Sequence, residues 1–215
     1  MKSEERFKSI LRSQNRLVRI FLAECLGTFV LVFVGIGADL YCDKIQECSS
    51  VHRQLAGGFG VMLSIYIGWN ASGGHTNPAV TIAFWTVGRL GNGFINNTFI
   101  FLWYSFSQVT LTLLDFALIK VKIIGGFIAA CFAYWIYLPY FEDQEPSGII
   151  CSLATCPGNS TPGLMILEQA IAVSLIVLCA FSTADPRNAL PPGLAPFMIG
   201  IIAMTVGLTF SNNSG

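Results

Sequence analysis

Five stretches of this chain are apolar and long enough to lie in hydrocarbon, and nothing else in the sequence restricts the fold as much. They are residues 20–38 (IFLAECLGTFVLVFVGIGA), 55–69 (LAGGFGVMLSIYIGW), 123–141 (IIGGFIAACFAYWIYLPYF), 165–183 (MILEQAIAVSLIVLCAFST) and 194–210 (LAPFMIGIIAMTVGLTF). A bilayer core of about 30 Å takes roughly 20 residues of α-helix. The stretches therefore predict an all-α membrane protein. Composition agrees: 53% of residues are hydrophobic and 11% charged, against about 25% charged in soluble domains. The formal net charge is zero, so nothing points to nucleic acid.

Residues 1–19 (MKSEERFKSILRSQNRLVR) are polar and basic, and no small-residue cleavage site follows in the next apolar run. They read as a cytoplasmic tail before a retained signal-anchor helix. One further apolar block, 94–119, carries Asn96, Asn97, Ser105, Ser107, Gln108 and Asp115. It does not read as a clean span. The expectation for 94–120 is an atypical insertion, either a helix or hairpin at the cytoplasmic interface or a translated non-coding segment.

Positively charged loops resist translocation. With a cytoplasmic N-terminus and the 94–119 block uncounted, Lys2, Arg6, Lys8, Arg12, Arg16, Arg19, Arg89, Lys120, Lys122 and Arg187 fall inside. Lys44 and Arg53 fall outside, so ten of twelve basic residues are cytoplasmic. The same orientation exposes Cys42, Cys48, Cys151 and Cys156 to an oxidising compartment, where disulfides and free thiols are both open readings. It also exposes loop 142–164, with a possible glycosylation site at Asn159.

Residues 73–84 read GGHTNPAVTIAF. Asn is a preferred helix N-cap and Pro suits the first helical position. A helix from Asn77 to about Gly88 or Leu90 would cross only about half of the bilayer core at 1.5 Å per residue. Non-helical backbone at that depth survives only inside protein or along a watery cavity. The carbonyls of Gly74, His75 and Thr76, reached through the flexible pair Gly73 and Gly74, would face that cavity as acceptors. The helix start adds roughly half a positive charge. Such a site accepts hydrogen bonds from neutral polar molecules and repels cations.

The pattern recurs. Glu24 opens the first span and Glu168 the fourth, and both 59–74 and 198–215 are glycine-bearing helices running into Asn and Ser-Gly. An odd number of spans separates the copies, so they insert in opposite senses, as inverted repeats do.

The segments AECLGTFVLVFVG, SGGHTNPAVTIAFW, IGGFIAACFAYWIYLPYF and DPRNALPPGLAPFMIG together resemble the aquaporin (major intrinsic protein) family. DPRN, PPGLAPF and the ATCP of the outer loop resemble its aquaglyceroporin branch. The resemblance covers about residues 20–93 and 121–215. It implies an inverted-repeat helical bundle of six tilted spans and two re-entrant half-helices, with one pore per subunit and a homotetramer. Carried over, Asn77, Pro78 and Ala79 match the first pore motif, and Gly73, Gly74, His75 and Thr76 the pore lining. Gly57 and Gly207 match two selectivity-filter positions, and the absence of a side chain at both implies a wide constriction. Glu24 and Glu168 match buried acids that brace the re-entrant loops.

The sequence stops before the family's second Asn-Pro-Ala, its half-helix, the filter arginine and the sixth span. The expected organisation is a first repeat at 20–93, a span at 121–141, an outer loop at 142–164 and an incomplete second repeat at 165–215. The implied function is a passive channel for glycerol, small neutral polyols and water in a lipid bilayer, expected at the plasma membrane. The alternative is a non-conducting structural or regulatory subunit that assembles with full-length channels. No nucleophile–base pair, phosphate loop or metal cluster is evident, and His52 and His75 stand on opposite faces. No enzyme, cofactor or metal site is expected.

Overall fold

The computed structural model describes residues 15–45, 48–86, 100–140, 146–154 and 161–214. Seven α-helices, and no strand, occur among them: α1 (Arg16–Ile45), α2 (Ser50–Ser72), α3 (Pro78–Thr86), α4 (Ile100–Tyr137), α5 (Pro146–Leu153), α6 (Pro162–Thr183) and α7 (Ala195–Ser214). Three segments are long and apolar enough to cross a membrane: Arg16–Asp43, Ala117–Tyr140 and Pro162–Thr183, with Ala195–Phe210 a shorter apolar helix. α2 has 23 residues but carries His52, Arg53 and Gln54 at one end and Asn70 and Ser72 at the other. Phe127, Trp135 and Ile166 are 70%, 69% and 71% exposed. Outward apolar side chains of that size suit lipid, since tails are as apolar as leucine.

α1 packs against α2 and α4, α2 against α7, and α6 against α7. α2 and α7 run antiparallel. The Tyr66 hydroxyl donates to the Gly193 carbonyl at 2.5 Å, Gly58 meets Gly200, and Gln54 meets Gly207. At the crossing, a Cβ on Gly58 would stand 2.8 Å from the Gly200 oxygen, and one on Gly200 2.8 Å from the Gly58 oxygen. Only two glycines allow backbones that close. Beside the crossing lies a cavity of about 200 Å³ lined by apolar side chains, among them Leu55, Phe59, Met62, Phe197, Ile201 and Met204.

The end of the bundle where α1 meets α2 is tied by charge. Arg53 pairs with Asp43 at 2.5 Å and with Asp39 at 3.4 Å. Ser152 on α5 donates to Asp43. Leu40, Ala133 and Ile149 bury together beneath these contacts. Cys42 and Cys48 form a disulfide, and Cys151 is also disulfide-bonded. The connection from α6 to α7 is a turn built on Asp185, which accepts from the Arg187 amide at 2.9 Å and pairs with its guanidinium at 2.6 Å. Those bonds, and the carboxylate's charge, raise Arg187 above its ordinary pKa.

Residues 94–99 of the block expected at 94–120 lie outside the described residues. Its remainder and the span expected at 121–141 share one helix. Ile100–Tyr137 is one helix of 38 residues, because neither Pro nor Gly occurs between Ile100 and Ile124 to interrupt it. Lys122, counted with the cytoplasmic loops, is 2% exposed inside the bundle.

Candidate functional site

α2 ends where Gly73 adopts φ +89°, the left-handed C-terminal stop that glycine takes without penalty. Gly74 follows at φ +65°. A Cβ there would stand 2.6 Å from the Ile65 carbonyl, so the chain folds back against the helix it has just left. Thr76 is at φ +47°, which costs a β-branched residue about 1–3 kcal/mol. The surroundings hold it there: its carbonyl accepts from Thr28 Oγ1 at 3.3 Å and its amide donates to Glu24.

Asn77 then starts α3. Its Oδ1 accepts from the Ala79 amide at 2.8 Å, as an N-cap does, and Pro78 takes the first helical position. Substituting Asn77 with alanine leaves that amide unpaired. The expected cost is about 1 kcal/mol, read as a lower unfolding midpoint in detergent micelles. α3 has nine described residues, about 13 Å of rise.

Glu24 is the anchor of the loop and is 1% exposed. Its Oε1 accepts from Ser72 Oγ at 2.5 Å and from the His75 amide at 3.1 Å. Its Oε2 accepts from the Thr76 amide at 3.1 Å and pairs with Lys122 Nζ at 3.1 Å. One carboxylate therefore satisfies the end of α2, two loop amides and a buried ammonium.

The structure gathers Glu24, Gly73, Gly74, His75, Thr76, Asn77, Pro78 and Ala79 into one site. Two of the three carbonyls expected to face a cavity have partners inside the protein: Thr76 accepts from Thr28, and His75 accepts from the Asn77 amide. Glu168 is buried on α6, a helix that packs against α3 and α7. Asn159 lies outside the described residues. A Cβ on Gly57 would meet open space, whereas one on Gly207 would collide with the Gln54 side chain. The Gln54 side chain on α2 thus lies directly against Gly207.

Sequence reasoning overlooked Gln54 and Lys122. Gln54 stands one turn before Gly58, where α2 touches the backbone of Gly200 on α7. Lys122 stands one turn before Gly125, where α4 touches the backbone of Cys25 next to Glu24. A polar residue one turn from a close-packing glycine was the available signal.

Residues 11–215 match the family described as Major intrinsic protein. The chain belongs to that family. Among relatives of this major intrinsic protein, aquaporin-9 of Mus musculus is 27% identical over 95% of this chain and 67% of its own length. A probable glycerol uptake facilitator protein of Thermotoga maritima is 28% identical over 91% of this chain and 76% of its own. Aquaporin Z of Photorhabdus laumondii is 33% identical over 89% and 76%. The crystal structure of the aquaglyceroporin from Plasmodium falciparum superposes with a TM-score of 0.75 at 21% identity, covering 93% of this chain and 75% of that one. The fold is that of an aquaporin-like helical bundle. These are the names of channels and uptake facilitators rather than enzymes. Among the described residues no group of three or more His, Cys, Asp or Glu is placed to hold a metal.

Proposed function

We propose that this major intrinsic protein is a passive transmembrane channel for glycerol, other small neutral polyols and water. The observation that carries the reading is the re-entrant turn at Gly73–Asn77, braced by Glu24 and continued by an Asn-capped half-helix. A neutral solute passing that turn finds acceptors and the positive end of a helix, while a cation meets repulsion. Carbonyl oxygens keep a second lone pair after one internal bond, so His75 and Thr76 remain usable acceptors. In this reading Asn77, Pro78 and Ala79 form the first pore motif, and Gly57 and Gly207 flank the filter.

The proposed organisation is a first repeat over 20–93 and a second beginning at 165, with the turn near the bilayer midplane. The proposed assembly is a homotetramer in the plasma membrane with a cytoplasmic N-terminus. The relatives' names support glycerol and water as solutes. The test is uptake of labelled glycerol, with osmotic swelling, by liposomes carrying the purified chain. Uptake equal to that of empty liposomes removes the reading.

Gln54 is proposed to narrow the path beside Gly207. Gln54→Ala is then expected to raise uptake of a four-carbon polyol about twofold or more relative to glycerol, since pore width governs such selectivity. An unchanged ratio places Gln54 outside the path.

A further inference from the structure

Arg53, Lys122 and Arg187 each pair with a carboxylate. Arg16, Arg19 and Lys120 are exposed and make no ion pair among the described residues. All three stand at one end of the seam between α1 and α4. We propose that Arg19 and Lys120 form a binding site for an anionic phospholipid, whose headgroup bridges the two side chains and whose tails lie along the outer faces of α1 and α4. The proposal goes beyond the channel reading and does not depend on it.

Packing sets the two cations at one depth. Cys25 touches Gly125, and further along Phe29 meets Phe132 edge-on, so α1 and α4 run in the same direction. Arg19 lies about 9 Å of helix rise before Cys25, and Lys120 about 8 Å before Gly125. The apolar spans begin at Arg16 and Ala117, which puts each cation one turn inside its span. There the hydrocarbon gives way to headgroups. The side chains that follow repeat one pattern on both helices. Leu22 and Leu26 come three and seven residues after Arg19, and Ile123 and Phe127 come three and seven after Lys120. All four are exposed, and that spacing keeps each set on one helix face. Each cation therefore heads a stripe of exposed apolar side chains.

That arrangement fits an amphiphile with an anionic head. A soluble anion would touch the cations and leave the stripes unused. A zwitterionic head brings its own ammonium, which cancels most of the attraction. Arginine offers a planar fork to a phosphate and lysine a point charge. Cations that merely snorkel to the interface would take any headgroup, so lipid preference separates the two cases. The full chain is reconstituted in vesicles of phosphatidylcholine with equal parts of phosphatidylserine and extracted in mild detergent. Native mass spectrometry then counts the lipid that stays bound. The unsubstituted chain is expected to retain phosphatidylserine over phosphatidylcholine about twentyfold, and Arg19→Gln or Lys120→Gln alone about fivefold. The double variant should show no preference. Arg19→Lys keeps the charge and most of the preference. Arg187→Gln removes an exposed cation already paired with Asp185 and should change nothing.

Equal retention of the two lipids by the unsubstituted chain overturns the proposal, and so does a double variant that still prefers phosphatidylserine. Displacement of the bound lipid by glycerophosphoserine, the same headgroup without tails, assigns the site to free anions and also overturns it. Salt supplies a check that needs no variant. The preference should fall as potassium chloride is raised, because exposed charges are screened, and a preference indifferent to salt rules out Arg19 and Lys120 as its source. Glycerol uptake is read on the same vesicles, so the channel reading stands or falls separately.

Discussion

Replacing Glu24 with alanine is expected to abolish glycerol uptake and to lower the stability of the inserted bundle by about 4 kcal/mol or more. Ser72, the amides of His75 and Thr76 and the ammonium of Lys122 all point at the Glu24 carboxylate. Removing one member of a buried ion pair typically costs about 3–5 kcal/mol, because the remaining charge is left uncompensated. Each orphaned buried amide adds about 1–3 kcal/mol unless water reaches it. Total stabilities are only about 5–15 kcal/mol, so the variant should sit near its unfolding threshold. Thr76 would be the first residue to move, since its left-handed backbone is held against strain by this contact. Detergent-induced unfolding followed by tryptophan fluorescence measures the loss. A Glu24→Ala protein with an unshifted midpoint and unchanged uptake would show that the carboxylate does not anchor the turn.

The parts of this site that sequence revealed are those set by local chemistry. Asn before Pro at the head of an apolar segment specifies a cap and a first helical turn through contacts two residues apart, and the structure has both. Gly-Gly before it permits the backward fold, and both glycines adopt positive φ. The buried acid was legible because Glu24 is the single charge in a long apolar run. Its four donors were not. They come from three elements, and only the packing of α1 on α2 and α4 brings them together. Lys122 misled for a specific reason: counting positive charge in loops treats every lysine as solvated. A lysine one turn before a glycine that touches another helix is carried into the interface instead. Gln54 was missed because an absent side chain at Gly207 says nothing about which neighbour fills the space. The continuity of α4 was obscured by the expectation of a short connection, although no helix breaker stands between Ile100 and Ile124.

The packing and the site meet at Gly125, so Gly125→Val is expected to damage both. A side chain at this position would collide with the carbonyl of Cys25 on α1, the residue next to Glu24. That carbonyl belongs to a helix backbone and cannot swing aside, so α4 must move away from α1. Overpacking of this kind costs about 1–3 kcal/mol. Residues three apart on a helix share a face, so the same displacement draws Lys122 from Glu24. Partial loss of the ion pair brings the expected total to about 3 kcal/mol or more. Gly126→Val is the control. A Cβ there would meet two side-chain methyl groups, Val32 Cγ2 at 3.5 Å and Thr28 Cγ2 at 3.9 Å, both at ordinary contact distance, and the expected cost is within about 1 kcal/mol. Thermal unfolding in micelles and glycerol uptake in liposomes should therefore separate the two adjacent substitutions. Gly125→Val should lose stability and uptake, while Gly126→Val should lose neither. Equal behaviour of the two would mean that the approach of α4 to Cys25 does not set the position of Lys122. The ion pair would then be a consequence of side-chain reach rather than of where the helices cross.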